Sequence, residues 1–342
     1  MDRTPSSQES SVHGSTRRSV TVRDGKAGLP YSKGLMATSV MAAGLPPSRA
    51  YSVAEVIEQR LHSADRDSVT SKELRELASA VLADQVGERY ADNYRRWQRA
   101  KDRTVPLVVL IGGTTGVGKS TIATTVAAQL GIVRIVSTDA VREVMRGIFT
   151  KEMMPSIHAS SFDVAPYLRE PPEEDNSVIT GFRRQVQAVS VGVTQVIRRA
   201  VVEGTDLIVE GAHVVPGFLD VPDRAEAIVT SMVITVDDEQ LHRSHFVARA
   251  ADTRSKRDHH YLEHFDNIRR VQSFVRDLAV THGVPVVPSY SLDATISRVM
   301  ELVVTDSTDT PSTRFATPGS ADPDLFDLAV PASRSAPEQE YR

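Results

Sequence analysis

The chain has 342 residues, 40% of them hydrophobic, with 40 basic and 44 acidic side chains and a formal charge of -4. That length accommodates one large or two ordinary globular domains, and the near balance of charge gives no basis for non-specific nucleic-acid binding. The absence of cysteine excludes disulfides, thiolate metal sites and cysteine nucleophiles.

Residues 1–18 are rich in Ser, Thr, Arg and Gln without hydrophobic periodicity and are predicted to be disordered. They lack the apolar centre of a signal peptide, and no apolar run in the chain approaches the roughly 20 residues that span a bilayer. A cytoplasmic protein without a membrane partner is expected. From 19 to 103 the pattern is helical. Apolar residues recur at spacings of three and four in Tyr51 to Leu61 and in Leu74 to Val86, and Leu45-Pro46-Pro47 interrupts the run. This predicts a small, mainly helical N-terminal domain, joined through the polar Asp102-Arg103-Thr104 to a second domain over 104–305.

The second domain opens on the apolar run Val105 to Ile111, followed by Gly112-Gly113-Thr114-Thr115-Gly116-Val117-Gly118-Lys119-Ser120 and the helical Thr121 to Ala128. Strand, glycine-rich turn and helix in that order make a phosphate-binding loop, whose backbone N–H groups and helix N-terminus favour anions. The backbone of Gly113, Thr114, Thr115, Gly116, Val117, Gly118, Lys119, Ser120 and Thr121 is predicted to hold ATP. Lys119 is expected to bridge the β- and γ-phosphates, and the Ser120 hydroxyl to ligate Mg²⁺.

Further β-branched runs follow at Val133 to Val136, Leu207 to Val209, Ile228 to Val236 and Val284 to Val287, separated by helical patterns. The alternation predicts an α/β fold with a parallel sheet covered on both faces and ligands beyond the carboxyl ends of the strands. After the second strand comes Ser137-Thr138-Asp139-Ala140-Val141-Arg142, where Asp139 can accept the proton of an acceptor hydroxyl and Arg142 can hold an anionic substrate. A helix N-cap is the alternative role for Asp139. Residues 148–180, with Met153-Met154-Pro155 and Pro171-Pro172, are too irregular for one crossover helix and are expected to form an insertion over the active site. After the third strand, Glu210-Gly211-Ala212-His213 places a carboxylate where it orients Mg²⁺ through water. His213 reads either as a supporting residue or as a base. After the fourth strand, Arg243, Arg249, Arg254, Lys256 and Arg257 suit a mobile lid that neutralises the transferring phosphoryl group; a solvated helix face is the plainer alternative. A Ser-, Thr- and Pro-rich tail over 306–342 is again predicted to be disordered.

The base-reading Asn-Lys-x-Asp segment of GTPases is absent, and polar residues at successive strand ends are how a small-molecule kinase is built. The chain resembles the 2-phosphoglycerate kinases of archaea and some bacteria. The resemblance is carried by Gly112 to Thr121, the run from Ser137 to Arg146, His158-Ala159-Ser160-Ser161, Gly181-Phe182-Arg183-Arg184-Gln185, Glu210 to Gly217, and the helix Tyr261 to Ala279, in family order over about 105–304. It implies a P-loop kinase domain with an adenylate-kinase-like core, using ATP and Mg²⁺ on a small phosphorylated acid. The N-terminal part is similar to an ATP-cone, through Val22-Arg23-Asp24-Gly25, Pro30-Tyr31-Ser32-Lys33 and Leu35 to Gly44, although Val22 stands where ATP-cones usually carry Lys or Arg. A regulatory nucleotide there and a purely structural module are both open.

The combined reading is phosphoryl transfer from ATP to 2-phosphoglycerate. Lys119, Asp139 and Arg249 are assigned to catalysis, and Ser120 and Glu210 to the metal. Arg142, His158, Ser160, Ser161, Arg183, Arg243 and Arg257 are assigned to the acceptor. Another small hydroxy-acid or sugar acceptor such as 3-phosphoglycerate is the first alternative, and a non-catalytic ATP sensor the second. The sequence leaves the oligomeric state open.

Overall fold

The computed structural model describes residues 20–24, 27–64, 66–101, 103–168, 177–252 and 257–308, with the side chains of 248–259 outside that description. The expected disorder of 1–18, and of the tail beyond 308, therefore lies outside the described residues; 306–308 finish a helix.

The first part of the chain carries a sheet that the helical pattern did not announce. Strand β1 (Thr21–Asp24) pairs antiparallel with β2 (Ala27–Pro30) and parallel with β3 (Ser68–Thr70). Strands this short hold too few alternations to stand out from a loop. Four helices complete it: α1 (Lys33–Met41), α2 (Pro47–Ser63), α3 (Ser71–Gln85) and α4 (Glu88–Ala100). Pro47 opens α2, where its missing N–H costs nothing, and Ala50, Val53, Ala54, Ile57 and Leu61 form its buried stripe. A capping box starts α3, with Thr70 accepting from the Glu73 amide at 3.1 Å and Glu73 accepting from the Thr70 amide at 2.9 Å.

The second part is a five-stranded, wholly parallel sheet of β4 (Leu107–Gly112), β5 (Ile135–Ser137), β6 (Leu207–Glu210), β7 (Ile228–Thr235) and β8 (Val286–Pro288), in the order β5-β6-β4-β7-β8. The first two strands begin two residues later than the apolar runs suggest, and Val133 is 98% exposed before β5. Helices α5 (Lys119–Leu130), α6 (Thr138–Ile148), α7 (Ser177–Val202), α8 (Glu239–Asp252), α9 (Arg257–Glu263), α10 (Phe265–Thr281) and α11 (Leu292–Thr308) connect and cover it. Every side-chain position of β4 is buried, and its alternation divides two cores. Val109 and Ile111 pack with Ile122 of α5 and Val299 of α11, whereas Val108 and Leu110 face Val189, Val193 and Ile197 of α7. The single helix expected from Tyr261 to Ala279 is broken at His264.

One core crosses the polar joint at 102–104. Ala42, Trp97 and Ala100 belong to the same apolar cluster as Leu107, Ile122 and Val299. Arg103 pairs with Asp206 and lies 5.6 Å over the Trp97 ring, and Asp206 also accepts from the Leu107 amide at 2.9 Å. Arg89 reaches Glu301 at 2.9 Å and Ser297 donates to Gly44 O at 2.7 Å. The joint is pinned rather than free.

Candidate active site

The turn from β4 into α5 is shaped by glycines that no other residue can replace. Gly113 has φ 135° and Gly116 φ 88°, and a Cβ on them would sit 2.4 Å from Ile234 O and 2.4 Å from Phe246 Cζ respectively. Gly118, at φ 87°, caps α5. Thr114 is buried, and Val117 is sunk in the core, so Val117 offers a ligand only its backbone. Lys119 Nζ donates to Thr114 O at 2.7 Å, which holds the ammonium over the loop. Ser120 Oγ donates to Glu210 Oε1 at 3.1 Å, joining the first turn of α5 to the end of β6.

Helix α8 grips the outside of this loop. His242 Nε2 donates to Thr115 O and His245 Nδ1 to Gly116 O, each at 2.9 Å, while the Phe246 ring fills the space against Gly116. Loop carbonyls that point away from a bound phosphate are thus satisfied by side chains. Arg269 donates to His242 Nδ1 at 3.4 Å, which leaves the His242 proton on Nε2. Burial, with the Arg269 charge adding to it, lowers the His242 pKa to about 4.

A cleft of about 220 Å³ runs from the loop to the opposite wall. It is lined by Thr115, Gly116, Gly118, Lys119, Ser120 and Thr121, then by Asp139, Arg142, Ser160, Ser161, Phe162, Glu210 and Tyr261. A larger cavity of about 400 Å³ lies at the other end of the sheet, lined by Trp97, Lys101, Arg103, Pro106 and Asp206; it contains none of the loop residues and is remote from phosphate chemistry.

Asp139 is not the cap of α6. Ser137 takes that position, accepting from the Ala140 amide at 3.1 Å, so the Asp139 carboxylate is left 67% exposed within the first turn. Its Oδ1 lies 3.3 Å from Arg142, whose other terminal nitrogen donates to Ala159 O at 2.5 Å. The Arg142 Nε is buried without a hydrogen-bond partner among the described residues. Ser160 and Ser161 come from the irregular segment after α6, which contains 3₁₀ turns at Pro155–His158 and Ala165–Tyr167.

His213 underlies this wall and is fully buried. The Gln185 amide donates to Ser156 O at 2.6 Å and Ala159 O at 3.1 Å, so its carbonyl must face His213 Nε2, 3.0 Å away. That fixes the proton on Nε2, and Thr138 Oγ1 therefore donates to Nδ1 at 2.9 Å. Burial lowers the His213 pKa to about 4. With both nitrogens engaged it is a neutral brace, which decides against the base. Gly211, at φ 148°, exists for the same contact, since a Cβ there would lie 1.9 Å from Thr138 Oγ1.

Not every expected residue reaches the cleft. His158 donates to Phe149 O at 2.9 Å and braces the insertion, Arg183 is exposed on α7, and Arg243 stacks 4.3 Å over Phe265; none of the three lines the cleft. Arg249 and Arg257 stand on α8 and α9 with side chains outside the described residues, and Arg254 and Lys256 lie outside them altogether. Conversely, Phe162 and Tyr261 line the cleft without having been anticipated. A search for charged groups passes over apolar residues, and only their place beside Ser161 and the basic run marked them.

An AAA domain family model matches residues 109–261. The chain is similar to the 2-phosphoglycerate kinase of Methanothermobacter thermautotrophicus, 39% identical over 274 residues that make up 80% of this chain and 89% of that protein. It is similar to the 2-phosphoglycerate kinase of Thermococcus kodakarensis at 40% identity over 282 residues, 82% of this chain and 95% of that one. Among solved structures, shikimate kinase from Acinetobacter baumannii aligns with 60% of this chain and 98% of its own at 14% identity and a TM-score of 0.34.

Proposed function

The chain belongs to the family of the 2-phosphoglycerate kinases, and from that premise we propose that it transfers the γ-phosphoryl group of ATP to the free hydroxyl of 2-phosphoglycerate, giving 2,3-bisphosphoglycerate and ADP. The observation that carries this reading is the continuity of one cleft from the phosphate loop to Asp139, Arg142, Ser160 and Ser161. A kinase must hold two anionic substrates side by side there.

In this scheme the loop amides and Lys119 hold the β- and γ-phosphates, and Lys119 follows the charge as it spreads over the transferring group. Asp139, freed from capping by Ser137, orients the acceptor hydroxyl and takes its proton as the new O–P bond forms and the bond to the ADP oxygen breaks. Arg142 and the hydroxyls of Ser160 and Ser161 hold the acceptor's acidic groups. Arg249 and Arg257 are retained as lid contributors on the sequence pattern alone. The oxygen donors of Ser120 and Glu210 fit Mg²⁺, because they are hard ligands already drawn together at one side of the loop. Held by these two residues, the ion would supply neutralisation of phosphate charge.

The similarity of the first hundred residues to an ATP-cone supports a second, regulatory nucleotide there. Arg23 lies on β1, and Lys33 begins α1, where it pairs with Glu58 at 2.9 Å. Calorimetry of the full chain with ATP distinguishes two sites from one; a single site lost with Lys119→Ala would make the N-terminal part structural.

The acceptor is tested by following ADP release over 2-phosphoglycerate, 3-phosphoglycerate, glycerate and sugar acids. Turnover with 2-phosphoglycerate at least ten-fold above the others is expected. Preference for another acid would move the chain to the alternative acceptor, and tight ATP binding with no turnover on any would favour the sensor.

A further inference from the structure

Beside the cleft, three side chains with no part in the proposed phosphoryl transfer converge. His260 and His264 are one helical turn apart, with the His264 amide donating to His260 O at 3.2 Å across the junction of α9 and α10. Asp163 comes from the stretch between the two 3₁₀ turns, almost a hundred residues earlier in the chain. One ligand atom from each of the three lies within 4.8 Å of the other two, with Asp163 Oδ2 4.0 Å from His260 Nε2. All three residues are half-buried.

The geometry points to a binding site for a divalent transition cation of the zinc class, ligated by Asp163, His260 and His264. Two imidazole nitrogens and one carboxylate oxygen form a borderline-soft set that favours Zn²⁺, Co²⁺ or Ni²⁺ over Mg²⁺, and an i, i+4 histidine pair on a helical turn is a recurrent way to present two of the three ligands. The two imidazole rings meet edge to face with centroids 4.5 Å apart, and the carboxylate reaches them from a different segment, so donors from two separate stretches of chain are gathered into one cluster.

The site would also act on the cleft. Phe162, next to Asp163, packs its ring 5.5 Å from His260, 5.9 Å from His264 and 5.7 Å from Tyr261. A cation ligated on both sides would tie the insertion to the α9–α10 corner and fix the wall that Phe162 and Tyr261 form.

The test uses the full-length, tag-free chain without nucleotide, titrated with Zn²⁺ against a chromogenic chelator and, in parallel, with Co²⁺ followed by its visible absorption. One Zn²⁺ per chain is expected, held in the presence of excess Mg²⁺ and weakened at least ten-fold by Asp163→Asn and by His264→Gln. Melting of the metal-free variants verifies that each is folded, and Asp163→Asn, on a partly exposed loop, stands if the histidine variant is not. No Zn²⁺ bound by the wild-type chain, or affinity in the folded variants within two-fold of wild type, would overturn the proposal.

Discussion

On the nucleotide side of the cleft the working groups are backbone amides, held by glycines that allow no Cβ and clamped from outside by His242, His245 and Phe246. On the proposed acceptor side they are side chains gathered from α6, the irregular segment around Ser160 and the turn at Tyr261. The first wall is a local structure stiffened by its surroundings. The second exists only when three segments meet, and buried braces such as the Thr138–His213–Gln185 chain take the place of local geometry. Affinity for phosphate can thus be set by one stretch of chain, while choice of acceptor is distributed and open to change.

The largest test of this contrast is Lys119→Ala, which removes the positive charge that the loop itself brings to the phosphates. Turnover should fall by roughly a thousand-fold with the melting temperature little changed. Activity within a few fold of wild type would take the loop out of the chemistry. On the acceptor wall, Asp139→Asn keeps the shape and, with Ser137 as cap, sacrifices no helix bond. A kcat reduced about 100-fold in a protein of unchanged stability is expected, and an unchanged kcat would reduce Asp139 to a partner of Arg142.

The braces of both walls share a pH signature. His213 and His242, each lowered to about 4 by burial, stay neutral in the folded chain while their unfolded counterparts bind protons from about pH 6.5 downward. Their contribution is complete above about pH 6.5 and is lost as pH falls toward 4, at a slope of up to about 1.4 kcal/mol per pH unit for each. Urea unfolding at pH 7.5, 6 and 5 should show the decline, with activity collapsing no earlier than stability. A flat profile above pH 5 would mean that neither is held neutral. The smallest effect is expected for His245→Ala, whose lost bond to Gly116 O water can partly replace. KM for ATP should rise about three- to ten-fold at nearly constant kcat, and an unchanged KM would show that the clamp of α8 is incidental.

The nucleotide wall was legible in the sequence because nine consecutive residues contain it, and the parallel sheet because its β-branched runs alternate with helical ones. The acceptor wall was legible in part. Asp139, Arg142, Ser160 and Ser161 line the cleft, whereas His158, Arg183 and Arg243 were placed by their charge and brace, face solvent or stack on Phe265. Phe162 and Tyr261 stood out by no charge, and the paired His260 and His264 were divided between a run read for its cations, which ended at Tyr261, and the helix that follows it. The three-stranded sheet was hidden because β3 joins β1 across more than forty residues of mostly helical sequence. Periodicity reports what a segment buries, not what it meets.

Trp97 is the only tryptophan of the chain, and it is buried where α4 meets the core of the parallel sheet, beneath the guanidinium of Arg103. The seam therefore carries its own optical reporter. A dry indole beside a cation emits differently from a hydrated one, so any ligand of the first hundred residues that loosens α4 from the sheet should shift the emission to the red without unfolding anything else. Nucleotide bound at the distant phosphate loop should leave the spectrum alone unless the two parts communicate, in which case the ATP dependence of one fluorescence band measures that communication in the unmodified protein.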